Sequence, residues 1–565
     1  MNERLQFRRL LRSFSYRFLD NEFLSAEGDA LQTMVHVLAL LGAAALSVSL
    51  LFVYKYELWL AGIPATLRDA LTWPDKEFLI SLAMAVTGLA AVITWDGLFP
   101  DRRDCLNLAA LPVRWRTMFA AKLTAVLGLF AAVTVALNGP TALFYPWIAT
   151  GESGGSLIRY VFAHVTAVVA ASAFVFFSFL AIQGLLVMTL SFRQYKWISA
   201  WVQLGALFAI LSAFFLMPDI AHPVTIADPH NRLATHLLPP YWFLAWYQEL
   251  LGVRSPYLQE MAAMARTGLA ISIVTALSAY TAGYGRYVRK TLEEADTLPG
   301  DARRRMAWLT RFLDRLFLPK PVERAAFHFA ARTMARNRKH RLLLAIYAGV
   351  GISYVFKSVG WMMSSGFQRH RFDPGISSVP LVLSFFMLLG MRVLFTIPVE
   401  LRSNWVFQLT ENGRPGDCLN GVRKLMFVVG ILPLAVGTFP VYGMLWGWGY
   451  ATRHAVLVAL ILMLVAEFLM RRFPKIPFTC SFLPGKMNLK ATFVIYCVLF
   501  VFGAANVAVI EWALVASPRG YWIGTAAITL VLAWRTWRRH QWERRLSGFV
   551  YEERATWALD ASLNL

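Results

Sequence analysis

The chain has 565 residues, 58% of them hydrophobic and only 16% charged, with a mean hydropathy of +0.52. That balance excludes a soluble globular domain, and apolar runs of about 20 residues, each able to cross roughly 30 Å of hydrocarbon, recur along it. The net charge of +22 is topological and not a nucleic-acid footprint, because the basic residues sit between the apolar runs.

Residues 1–32 interleave Arg4, Arg8, Arg9, Arg12 and Arg17 with Leu5, Phe7, Leu10, Leu11, Phe14 and Phe18. This is the spacing of an amphipathic helix in the membrane interface, without the apolar core and small-residue cleavage site of a signal peptide. Twelve spans are predicted to follow, at 33–54, 77–99, 119–141, 160–190, 197–217, 262–284, 342–360, 378–397, 425–447, 455–470, 491–515 and 521–537. Backbones in lipid must satisfy their own hydrogen bonds, so the predicted fold class is all-α. The fourth span is long enough to tilt, or to bend near Gln183-Gly184. Cys105, Cys418, Cys480 and Cys497 form no close-spaced metal pattern and imply no disulfide framework.

Between the second and third spans lies the stretch Trp95–Lys122. A polar turn with Asp101, Arg102, Arg103 and Asp104 leads into a short amphipathic segment carrying Leu106, Leu108 and Leu111. A break at Leu111-Pro112 follows, then a basic re-entry with Arg114 and Arg116. Segment 218–261 holds a second short helix, opened by Pro239 and Pro240 as at a first helical turn. Its Tyr241, Trp242, Trp246 and Tyr247 are the amphipathic aromatics favoured at a membrane interface, which predicts a helix dipping into the outer leaflet.

Segment 285–341 carries 15 Lys/Arg and a break at Thr297-Leu-Pro-Gly300. It is expected to be partly helical against anionic headgroups, and its portion Arg324–Arg341 repeats the opening amphipathic segment. The chain as a whole repeats at about 300 residues. The counterpart of Trp95–Lys122 runs from Pro398 to Lys424 and includes Glu400, Arg402, Asn404 and Trp405. The expected organisation is an interfacial helix at 1–32, a six-span half at 33–284, a basic linker with a second interfacial helix at 285–341, a second six-span half at 342–537 and a tail at 538–565. With the N-terminus inside, inner segments and span ends hold 42 Lys/Arg, outer segments 10, and Arg266, Lys357 and Arg392 lie within spans. Both termini are therefore expected in the cytoplasm.

Charged side chains near span ends read as structural. Arg392 is placed to snorkel and Glu467 to pair with Arg471 four residues on, while Glu511 and Lys357 lie near outer ends and His36 and His164 just inside span starts. No phosphate-binding glycine loop and no His-Glu-x-x-His motif occurs, so no cofactor is expected in this chain and catalysis is not its expected role.

Interfacial helix, two spans, polar cytoplasmic helix, four spans and an outer helix before the last: this order resembles permeases of the ABC-2 exporter type. Asp101-Arg-Arg-Asp104 with Leu111-Pro-Val-Arg-Trp-Arg116 looks like the coupling helix of that family, and Pro239-Pro-Tyr-Trp-Phe243 with Tyr247 like its outer helix. The second half looks like a fused, diverged copy with Glu400-Leu-Arg-Ser-Asn-Trp405 at the coupling position, although it lacks the outer helix and such permeases mostly carry one half per chain. The resemblance implies an inner-membrane export permease, not an enzyme, partnered by membrane lipids and by a separate cytoplasmic ABC ATPase that holds ATP and magnesium. Its substrate would be hydrophobic or lipid-like. The alternatives are a gradient-driven twelve-span carrier of the major-facilitator type, whose loop motif Gly97-x-Phe-x-Asp101-Arg102 only begins to match, and a non-transporting scaffold subunit.

Overall fold

The computed structural model describes residues 3–19, 30–59, 64–97, 114–150, 156–293, 314–364, 373–399, 415–479 and 506–549, except 219, 472, 474 and 547, together with isolated positions 62, 406, 407, 409 and 503. Among the described residues every regular element is a helix, and ten helices are long and apolar enough to cross a membrane. The chain is a multi-pass, all-α membrane protein. It divides into two compact units, Met1–Leu298 and Pro299–Leu565, with the break inside the basic linker.

In the first unit, α1 (Glu3–Leu19) is followed by α2 (Ala30–Tyr54), which runs on through a π turn to Trp59. Four spans follow: α3 (Ala65–Ile93), α4 (Trp115–Thr150), α5 (Leu157–Thr189) and α6 (Phe192–Phe215). Ser191 starts α6 with a capping box, its Oγ accepting from the Gln194 backbone N–H. Two short helices, α7 (Arg232–Leu237) and α8 (Pro239–Leu251), precede the last span α9 (Pro256–Glu293). α5 runs unbroken past Gln183-Gly184, and Gln183 donates to the Trp95 carbonyl at 2.7 Å, which gives a buried amide a partner.

The unit has two distinct ends. At the elbow end, Phe14 of α1 packs with Met118, Ala121 and Ala125 of α4, Leu180 of α5 and Tyr280 of α9. At the far end, α8 is enclosed by α3, α5 and α9.

The second unit begins with α10 (Pro321–Arg336) and α11 (Arg338–Ser364), followed by α12 (Pro374–Ser377) and α13 (Val379–Leu394). Then α14 (Pro415–Met426) continues through a π turn into α15 (Leu432–Trp446). A single residue, Gly447, separates α15 from α16 (Trp448–Leu469). Its φ of 91° and ψ of 152° lie in a region essentially reserved for glycine, which lets two spans reverse direction with no loop. At the elbow end Phe327, Ala330 and Met334 of α10 pack on Leu419, Val422 and Leu425 of α14. Gly421 makes the approach possible, because a Cβ there would collide with the Glu323 carbonyl.

The ninth and tenth spans thus start earlier than predicted, at Pro415 and Trp448. Much of the predicted eleventh span lies outside the described residues, and what is described of it includes the apolar helix Asn506–Ala516. The twelfth forms α17 (Pro518–Arg544), in which Arg535, Arg538 and Arg539 dilute the apolar run, so it is not among the ten.

Candidate functional site

Asp101, Arg102, Arg103, Asp104, Leu111, Pro112, Glu400, Arg402, Asn404 and Trp405 lie outside the described residues. The structure does place what flanks them. Trp95 is fully buried and donates its indole N–H to Ser199 Oγ at 2.8 Å, fixing the elbow end of α3 against α6. Where the chain re-enters at α4, Arg114 is ion-paired with Glu3 of α1, and Lys122 lies over the Phe14 ring at 4.9 Å. The Arg114 and Glu3 side chains are 77% and 58% exposed, so this pair orients α1 more than it stabilises it. Arg116, the second residue of α4, is exposed.

The second unit repeats the device with more burial. Glu323 of α10, whose side chain is 5% exposed, is ion-paired with Lys424 of α14, and Lys320 meets Asp417 at 2.7 Å. Along the outer face of α10 runs an open groove of about 870 Å³, lined by Arg324, His328, Phe329, Arg332, Arg336 and Val399. Val399 lies at the start of the second predicted coupling stretch, immediately before Glu400.

Two sequence expectations at this end are corrected. Glu467 does not pair with Arg471; it is bonded by Arg539, and Arg423 lies 3.8 Å away, because α17 brings its arginines across α16. Arg392 does not snorkel. It is 8% exposed, donates Nε to the Leu469 carbonyl at 2.8 Å and lies over the Phe473 ring at 4.5 Å.

At the far end of the first unit, Pro239 and Pro240 open α8 at its first two positions. The aromatics of this helix do not form an exposed belt. Tyr241 and Tyr247 are buried, and Tyr241 donates its hydroxyl to the Pro218 carbonyl at 2.5 Å. Trp242 donates to the carbonyls of Thr235 and His236 at 3.0 and 3.1 Å, while Trp246 stays partly exposed beside Phe243. The polar tips of Tyr241 and Trp242 are thus satisfied by backbone carbonyls, whereas the buried Tyr247 hydroxyl has no hydrogen-bond partner among the described residues. Burial pushes the Tyr247 phenol well above its usual range, so it presents a neutral ring to its neighbours.

That ring belongs to a polar cluster the sequence reading passes over. Lys76, almost fully buried, has its ammonium 5.2 Å from the Tyr247 ring and 5.6 Å from the Tyr160 ring. Lys55 bonds Asp75 at 2.7 Å, and Tyr56 donates to the same carboxylate at 2.6 Å. Tyr145 donates to the Thr72 carbonyl at 3.2 Å and packs against His164, the ring centroids 5.5 Å apart.

The second unit carries the same pairing at its far end. Tyr442 donates to the Ile376 carbonyl at 2.6 Å and packs edge-on against His454 at 4.9 Å. In each case a tyrosine ending the third span bonds the start of the second and touches a histidine opening the fourth. Among the described residues only the second unit's histidine meets an acid: His454 Nδ1 lies 2.5 Å from Glu511, and both are buried. Among the described residues no three His, Cys, Asp or Glu side chains gather as a metal site would need.

Comparison with known protein families, with curated proteins and with solved structures gave no match.

Proposed function

We propose that this chain is the membrane-spanning permease of an ATP-driven, ABC-type exporter with twelve spans in two six-span halves, resident in the inner membrane with both termini cytoplasmic. A separate ATPase subunit would bind ATP and magnesium, and the cargo would be hydrophobic or lipid-like. The observation that carries this reading is the repeated elbow. In both units an amphipathic helix is tied through a carboxylate, Glu3 or Glu323, to a base at the opening of the third span, Arg114 or Lys424. A partner that displaces the stretch between spans two and three pulls on that span and on the interfacial helix together. Arg116 is an exposed cation at the opening of the third span, where a docking partner could reach it, so it is the residue chosen to probe docking.

The test is purification of the tagged full chain from its native membrane, followed by assay of the eluate for ATP hydrolysis and identification of any co-eluting polypeptide with a phosphate-binding glycine loop. The wild type is expected to bring down such an ATPase, and Arg116→Glu to lose it while eluting as the same monodisperse species. An eluate without ATPase, or an Arg116→Glu eluate with undiminished hydrolysis, overturns the assignment.

A gradient-driven carrier remains the second reading, and one observation favours it. A carboxylate buried within a membrane unit is the usual currency of ion coupling, and Glu511 is one. Substrate uptake by the purified chain in proteoliposomes under an imposed proton gradient, with no ATPase present, decides for that reading.

A further inference from the structure

We infer that Glu511 and His454 form a single proton-binding site at the far end of the second unit. The inference goes beyond the export reading and does not depend on it.

Three features of the geometry carry it. The first is enclosure. Glu511 and His454 are 3% and 1% exposed, in the helix Asn506–Ala516 and in α16. Within a membrane unit such a carboxylate is costly unless it is neutralised or paired. The second is the bonding. His454 Nδ1 is 2.5 Å from Glu511 Oε1, and the hydroxyl of Ser377 lies 3.5 Å from Oε2. An Nδ1–H donated to the carboxylate fixes the tautomer and leaves Nε2 as the basic lone pair. The third is that Nε2 has no hydrogen-bond partner among the described residues although it is fully enclosed. A proton that adds to Nε2 turns a buried anion beside a neutral ring into a carboxylate–imidazolium pair of zero net charge.

The surroundings leave that task to these two groups. Tyr450 of α16 stacks on the imidazole at 5.7 Å and Tyr442 of α15 meets it edge-on. Tyr354 of α11 is turned to Ser378 at 2.7 Å, and Asp373 caps α12 through the Ile376 N–H. Arg453 is spent on the carbonyls of Gly449 and Val515, and Tyr521 of α17 packs with Leu457 and Val515. Among the described residues no lysine or arginine bonds either member of the pair.

The first unit supplies an internal control. His164 sits on Tyr145 as His454 sits on Tyr442, yet its hydrogen-bond partner is the Thr141 hydroxyl at 3.4 Å and no carboxylate. The fold therefore places an imidazole at this position twice, and among the described residues only the second copy has a carboxylate partner. The pair also clasps α16 to the neighbouring helix, so its occupancy sets how firmly those two elements are held together.

The test uses the full chain, labelled with ¹⁵N-histidine, in lipid nanodiscs; the resonances missing from His454→Gln assign the residue. On going from about pH 8 to about pH 5, a range that brackets an ordinary imidazole, wild-type His454 is expected to pass from the neutral tautomer protonated at Nδ1 to the imidazolium. In Glu511→Gln it is expected to stay neutral over the same range, and in Glu511→Asp to regain the proton. Neutral His454 throughout in the wild type, or the same protonation in Glu511→Gln as in wild type, overturns the site. If Glu511→Gln does not fold, the wild-type spectrum still decides, since a neutral tautomer protonated at Nε2 at about pH 8 contradicts the proposed bonding.

Discussion

At the residue scale, the two units are most alike where the sequence gives least warning. Tyr145 and Tyr442 each donate a hydroxyl across to the start of the second span and each meet a histidine from the fourth. The correspondence was hidden because spans three and four are joined by a longer connection in the first unit and by Gly447 alone in the second. The spacing between tyrosine and histidine therefore differs, and no motif search would align them. Replacing either tyrosine by phenylalanine keeps the ring and removes one hydrogen bond, worth about 1 kcal/mol. Tyr145→Phe and Tyr442→Phe are each expected to lower the thermal midpoint of the detergent-purified chain by a few degrees. A neutral effect in one and a clear loss in the other would mean that the two bonds do different jobs. Glu511 was legible as a charged residue near a span end, while Lys76 and Asp75 carry no motif that singles them out. The burial of all three was not legible, because it depends on which aromatic faces and carbonyls the tertiary fold brings to them.

At the element scale, the two amphipathic segments were readable as helices from the alternation of basic and apolar residues: α1 falls within 1–32, and α10 begins three residues before the expected Arg324 and ends five before Arg341. α8 was readable as a helix from its two prolines, but not as a buried one. Tyr and Trp carry an apolar body and one polar tip, and a tip that meets a headgroup looks the same in sequence as one that meets the Pro218 or Thr235 carbonyl. What holds α10 down is a contact between backbones, at Gly421. Gly421→Leu is expected to force α14 away from α10, break the Glu323–Lys424 and Lys320–Asp417 pairs and open Arg332 and Arg336 to trypsin. Gly437→Ala, where a Cβ meets open space, is expected to leave the digestion pattern unchanged. If Gly421→Leu is cut no faster than wild type, α10 is held by its other contacts and the elbow does not hinge on that approach.

At the scale of the whole molecule, the twofold plan and the charge count make one joint demand, that both elbow ends face the same side of the membrane. The sequence supports this through a ratio of 42 inner to 10 outer Lys/Arg, and the bias works through the short loops in which most of these residues lie. The lever reading needs it as well, since an ATPase reaches only the cytoplasmic face. A background lacking the four native cysteines allows a direct test. Val224, 84% exposed in the segment before the outer helix, reports the far end of the first unit, and Leu5, 44% exposed on α1, reports its elbow end. In intact cells, Val224→Cys is expected to react with a membrane-impermeant thiol reagent and Leu5→Cys to react only after the cells are opened. Arg324→Cys on α10 tests the second unit, and should follow Leu5→Cys. Were Arg324→Cys labelled from outside, the second elbow would face away from any cytoplasmic motor. One chain could then offer at most a single lever, and the repeat would have to be explained by something other than two equivalent docking points.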